Sequence, residues 1–256
     1  MKILAIGDVT GSSGVSFLTK NLRHIKAKHN ADIVIVNAEN SADTNGINAA
    51  SAQAVFDAGA DIITGGNHSF HHRDIFSYME SHPELLRPLN LTDAPDRGNG
   101  YIITDTFDGR MMTVSLMGQT FMSAADSPFT AFEALLKREQ GCYDFIVVDF
   151  HAEATSEKLA FAHHFADRTA IIFGTHTHVQ TADERLIGSC AYITDIGMCG
   201  AFDSILGAKK EVIINRFITR VPEKFAMATG EVRLCGALFE VNGAGKATSV
   251  IRITEQ

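Results

Sequence analysis

A layered α/β fold is predicted for this chain by three observations. Short β-rich runs recur along it, helix-compatible segments separate them, and most of the runs end in polar residues of one chemical kind. The first run, residues 2–6, leads into Gly7-Asp8-Val9-Thr10-Gly11 and a predicted helix over 15–29. The second, 32–36, ends in Asn37-Ala38-Glu39-Asn40, and a helix follows near 48–58. The third, 61–64, ends in Gly65-Gly66-Asn67-His68, and residues 85–100, with Pro88, Pro95, Gly98 and Gly100, read as a long loop. Runs 101–106 and 111–117 are predicted to pair across Asp108-Gly109, and Ser127-Pro128 opens a helix to about residue 139. Residues 145–150 form a strand followed by His151; 170–173 precede Gly174-Thr175-His176-Thr177-His178; 190–194 precede Asp195. From residue 211 onward the pattern suggests several antiparallel strands, with a hairpin turn at 242–245.

A chain of 256 residues with 45% hydrophobic and 20% charged residues has the composition of a folded domain, and residues 1–256 are expected to form one. The formal charge of −8 argues against a broad surface for duplex DNA, so a phosphate-handling protein of this kind must gain positive charge by other means. No run approaches the roughly 18 apolar residues of a spanning helix, and the N-terminal run is too short for a signal peptide; the expectation is a cytoplasmic protein with no membrane partner. Cys142, Cys190, Cys199 and Cys235 make no C-x-x-C pair and are expected to be reduced core thiols.

The informative feature is positional. Five strand ends deliver Asp8, then Glu39 and Asn40, then Asn67 and His68, then His151, then His176 and His178. In open α/β sheets, sites collect beyond the carboxyl ends of strands, so these residues can share one cleft. Singly, an Asp after a strand is a cap or turn residue and a His is a surface or packing residue; His24, His29, His72, His82, His163 and His164 are given that plain role. Together, carboxylate, amide and imidazole donors without thiolate suit iron, manganese or zinc. Seven ligands exceed the needs of one ion, and two ions sharing a carboxylate would use them all, a device suited to phosphate-ester hydrolysis. His176 and His178, two apart, would project to the same side of an extended backbone. Two divalent ions over two carboxylates also leave a locally positive site in an acidic protein.

These residues carry a resemblance. "GDVTG", "NAENSA", "GGNH", "DFHAEATSEK" and "GTHTHVQTADE", in that order, resemble the calcineurin-like metallophosphoesterase superfamily, and within it the bacterial YmdB-type cyclic-nucleotide phosphodiesterases. The resemblance extends over nearly the whole chain and implies a sandwich of two mixed β-sheets flanked by helices, with the site at the C-terminal ends of strands. It implies that Asp8, Glu39, Asn40 and His178 hold one metal ion and Glu39, Asn67, His151 and His176 the other. His68 is implied as a non-ligand acting beside the scissile phosphate, with Thr10 and Gly11 lining the phosphate pocket. The superfamily's usual His two after the first Asp is Thr10 here, with Asn40 supplying the ligand. Where the family usually continues Thr-Trp-Asp after the His, this chain has Ser69-Phe70-His71, which makes His71 a further cleft candidate.

The activity implied is hydrolysis of a small phosphodiester by a water activated between two ions: 2',3'-cyclic nucleotides, 3',5'-cyclic ones, or RNA-derived ends. A homo-oligomer is implied by the family alone. A phosphomonoesterase or nucleotidase is the nearest alternative, and a metal-holding regulatory module with little catalysis is another. Gly7, Gly11 and Gly14 raise a dinucleotide-binding alternative, but no Tyr is followed four residues later by Lys, and the histidines would go unused.

Overall fold

The computed structural model describes residues 1–93 and 96–256; Ala94 and Pro95, inside the loop expected over 85–100, lie outside the described residues. In chain order the elements are β1 (Lys2–Ile6), β2 (Asp8–Val9), α1 (Gly11–Lys28), β3 (Ile33–Asn37), α2 (Ala49–Ala58), β4 (Ile62–Thr64) and α3 (Asp74–Ser81). There follow β5 (Tyr101–Thr106), β6 (Gly109–Met117), α4 (Pro128–Arg138), β7 (Phe145–His151), α5 (Thr155–Phe165), β8 (Ile171–Thr175), β9 (Arg185–Ile187), β10 (Cys190–Ile193), β11 (Met198–Ala201), α6 (Lys210–Thr219), β12 (Val232–Val241) and β13 (Ala247–Glu255).

Two mixed sheets result. One runs β2-β11-β12-β1-β3-β4 with β13 added on β12; the other runs β5-β6-β7-β8-β10-β9. The β1, β3, β4 set and the β6, β7, β8, β10 set are internally parallel, so each brings its carboxyl ends to one edge. Successive side chains of a strand face opposite ways. Ile3, Ala5 and Ile35 therefore meet Phe145, Val147, Ile171 and Phe173 between the sheets, while Leu4, Ile6, Val34 and Val36 pack under Leu18 and Leu22 of α1 and Val55 of α2. On the far side, Ile146, Val148 and Phe150 pack under Phe132 of α4 and Phe161 and Phe165 of α5. Each of the larger of these side chains contributes about 1.5–3 kcal/mol by burial, which is why strands covered on both faces, such as β7, read as near-continuous apolar runs broken only by Asp149 before the terminal His151.

Local chemistry sets the start of two helices. Asn48 and Ser51 form a reciprocal cap that starts α2, and Gly59, at φ 117°, ends it. Ser127 caps α4 with Pro128 in its first turn. Two expected elements are corrected. α1 begins at Gly11 rather than residue 15: Gly-Ser-Ser-Gly is a poor helix start by propensity, but a Cβ on Gly14 would lie 2.4 Å from the Cys199 carbonyl, so close packing on β11 selects glycine there. Residues 211–219, expected as strand, lie in α6, a helix with no buried residue, whose β-branched composition hid it. The tail is otherwise as expected, β12 and β13 pairing antiparallel around the 242–245 turn. Cys190 and Cys199 are buried, whereas Cys142 is exposed, contrary to a core role. Among the described residues no helix is long and apolar enough to cross a membrane.

Candidate metal centre

Both sheets deliver their carboxyl ends to one place. Asp8 sits in β2 itself, Glu39 and Asn40 follow β3, Asn67 and His68 follow β4, His151 is the last residue of β7, and His176 follows β8 directly. Asp8, Glu39 and His151 are wholly buried, and Asn40 nearly so. Above them opens a cleft of about 290 Å³, floored by Glu39, Asn40, His68, His176 and His178 and walled by Leu206, Phe225 and Met227. A larger surface hollow of about 610 Å³ beside α1 contains none of these donors.

Glu39 lies between two sets of donors. Its Oε1 is 2.8 Å from Asn40 Nδ2, 3.0 Å from His68 Nδ1 and 3.4 Å from His151 Nε2. On one side, His178 Nε2 is 3.3 Å from Asn40 Nδ2 and 3.6 Å from Asp8 Oδ1. On the other, His151 Nε2 is 3.0 Å from Asn67 Oδ1 and 3.1 Å from His176 Nδ1. Donor atoms of Glu39, His151 and His176 all fall within 4.8 Å of one another, close enough to hold a metal ion.

The residues fit a cation. Asp8 Oδ1 is buried without a hydrogen-bond partner, and two buried carboxylates face three imidazoles. A Cβ on Gly66 would lie 2.3 Å from both Glu39 Oε2 and His151 Nε2, so the backbone there leaves room for the cluster alone. Burial opposes the charge on Glu39 and Asp8, but neighbouring histidines outweigh it and hold both carboxyls below their usual range. Burial likewise opposes protonation of His151, yet Glu39, Asp8 and Asp149 raise it to about 9. Burial and His151 together depress His176 to about 3. The carboxylates thus favour a proton on His151, in competition with any cation there.

Partners behind the imidazoles settle which nitrogen faces inward. His178 Nδ1 donates to the Leu206 carbonyl, leaving Nε2 for the site. The Thr175 hydroxyl gives its hydrogen to Asp149 and therefore accepts from His151 Nδ1, which again leaves Nε2 inward. Asp149, buried and also held by Thr64 and Asn37, is raised to about 6, chiefly by desolvation.

The histidine pair of residues 176 and 178 departs from the expected extended backbone. His176 has φ 97° and His178 φ 62°, so the two do not project as alternate strand residues. Of the residues expected to line a phosphate pocket, Thr10 reaches the cleft. Gly11 does not line it, and its amide donates to the Asn40 carbonyl. His71 is exposed outside the cleft lining, its ring 4.6 Å from that of His68. Phe70 packs instead toward Phe76, at 5.2 Å. Sequence reasoning passed over Asp149, Glu153 (whose carboxylate is 3.2 Å from His176 Nε2), Lys158 and Asp195. For Asp149 a signal existed: a carboxylate interrupting the apolar strand between Val148 and Phe150.

The fold is metallophosphoesterase-like, and the donors gathered at its strand ends are of the kinds that hold a metal ion. A solved structure from Staphylococcus aureus, described as a 5'-nucleotidase, superposes with a TM-score of 0.60 at 15% identity, over 99% of this chain and 54% of that one, a likeness of fold alone. The profile of YmdB-like proteins matches residues 4–253, and the chain belongs to that family. It is 38% identical to a Bacillus subtilis protein named 2',3'-cyclic-nucleotide 2'-phosphodiesterase, over 99% of this chain and 96% of that one. A Mycoplasma pneumoniae structure described as a novel phosphatase superposes with a TM-score of 0.94 at 34% identity, covering 100% of this chain and 93% of that one.

Proposed function

We propose that the protein is a binuclear-metal phosphodiesterase acting on cyclic nucleotides, 2',3'-cyclic ones foremost, with 3',5'-cyclic nucleotides and RNA-derived phosphodiesters as further substrates. The observation that carries this is Glu39, wholly buried between two donor sets, with the buried Asp8 Oδ1 making no hydrogen bond. In this reading Asp8, Asn40 and His178 share Glu39 with Asn67, His151 and His176, and iron or manganese, with zinc as a further choice, fits the oxygen and imidazole donors. The ions, when bound, supply positive charge that acidifies a water and steadies the phosphate oxygens.

The chain's own groups do the rest. Leu206, Phe225 and Met227 give the nucleoside an apolar wall above a polar floor. Hydrolysis adds water across one P–O bond, and the departing ribose oxygen must take up a proton. His68 lines the cleft with Nδ1 engaged by Glu39 and Asn40, at 3.0 and 2.9 Å, so its other nitrogen serves that oxygen. The relative's name supports the cyclic diester as substrate. The homo-oligomer belongs to the same reading, and α6, whose Phe217 and Ile218 are exposed, offers it an apolar face.

The deciding experiment assays purified protein, with its metal content measured, on 2',3'-cyclic AMP and on a nucleoside monophosphate. Two ions per chain with turnover of the diester well above the monoester are expected. Preference for the monoester would make it a phosphatase, and two bound ions without turnover of either would leave a regulatory module.

Metal binding should also depend on pH. At neutral pH the metal-free His151, raised to about 9, carries a proton that a cation on Nε2 must displace. Affinity for Mn²⁺ should therefore climb by about tenfold per pH unit from neutrality toward that value and then level off. Calorimetry in two buffers of different ionisation enthalpy should find at least one proton released; none released would contradict the assignment of His151.

A further inference from the structure

Lys158 and Asp195 form an ion pair that is almost wholly removed from solvent, with side chains 1% and 0% exposed and Nζ 2.9 Å from Oδ2. Neither borders the cleft, and burying two charges is costly enough that apolar residues of similar size commonly serve stability as well. Apart from one to the Gly197 amide, their remaining side-chain bonds run to one segment. Lys158 Nζ donates to the Thr175 carbonyl at 2.8 Å, and Asp195 Oδ2 accepts from Thr177, its amide at 3.1 Å and its hydroxyl at 2.8 Å. Asp195 Oδ1 accepts from the Gly197 amide, while the Asp195 amide donates to the Thr181 hydroxyl and its carbonyl accepts from the Thr181 amide. The segment is threaded tightly: a Cβ on Gly174 would lie 1.8 Å from the Thr194 carbonyl and 2.9 Å from Lys158 Cδ.

Thr177, gripped through both backbone and side chain, lies between His176 and His178, two non-glycine residues at positive φ. Such backbones persist only where the surroundings over-determine them. We infer that the buried Lys158–Asp195 pair is a positioning device: it clamps residues 175–177 so that His176 and His178 present Nδ1 and Nε2 to opposite sides of Glu39. The inference rests on the metal reading above for its consequence, and on the bonds just given for its geometry.

Two neutral variants separate positioning from bulk stability. Lys158→Met with Asp195→Leu removes the charges and every bond to residues 175 and 177; Lys158→Met with Asp195→Asn removes the charges but keeps an acceptor for Thr177. Mn²⁺ affinity, by calorimetry, and the imidazole NMR signals of His176 and His178 in metal-free protein are measured in each, with His24 and His163 as references. The Met/Leu chain is expected to lose about 10–100-fold in Mn²⁺ affinity, as when groups that orient ligands are removed, with His176 and His178 signals shifted or broadened and the references still. The Met/Asn chain should recover most of both. A folded Met/Leu chain that binds Mn²⁺ like the parent, with unmoved His176 and His178 signals, overturns the inference. If the Met/Leu chain does not fold, Thr177→Val, which deletes only the hydroxyl bond, is compared in its place, and unmoved signals there overturn it equally. A parent that binds no Mn²⁺ defeats the metal reading, and the imidazole signals alone then judge the clamp.

Discussion

Glu39→Gln is expected to cost the protein its metal and its hydrolysis together. The side chain is isosteric, so the fold should remain; what changes is the charge between the two donor sets. Glu39 Oε1 faces Asn40, His68 and His151 at once, and its loss removes the largest influence that raises His151. Removing a group that merely orients a ligand costs about 10–100-fold in affinity, so loss of a shared ligand should exceed about 100-fold. Elemental analysis of the purified variant should find less than one ion per chain, with turnover at background. Retention of two ions with turnover would remove Glu39 from the bridge, and with it the present division of ligands.

His68→Ala should give the contrasting result. His68 is half-buried, lies on the cleft floor and is not needed to complete either donor set. Its removal should leave both ions in place while kcat falls by about 10²–10⁴-fold, the usual worth of a positioned proton donor. The effect should shrink for a diester whose leaving group, such as a nitrophenol, needs no proton. Full activity on the ribose ester would sink the assigned role, and loss of metal would make His68 a ligand instead. His71, ring to ring with His68 at 4.6 Å, should matter far less, because it does not line the cleft.

Much of the site was legible because of a local rule: an apolar run that ends in a carboxylate, amide or imidazole marks a strand end, and parallel strands send those ends to one edge. Asp8, Glu39, Asn67, His151 and His176 are candidates on that rule, and the structure brings them together. Residues such as Asp149, Lys158 and Asp195 were not, since their partners lie 26, 37 or 112 positions away and no spacing announces them. The same limit explains α1, whose first turn depends on contact between Gly14 and Cys199, 185 residues apart, and α6, where β-branched residues misled the periodicity.

By itself, then, the sequence determined the alternation of strands and helices and the kinds of donor at the strand ends, because both depend on neighbours in the chain. Only the tertiary structure decided which nitrogen of His151 and His178 faces inward, that His176 and His178 sit at positive φ rather than on a strand, that Gly11 spends its amide on Asn40, and that an ion pair holds the segment between. Each of these is settled by a hydrogen bond or a close approach between segments distant in sequence, where the energy of burial and of satisfied polar groups outweighs local preference.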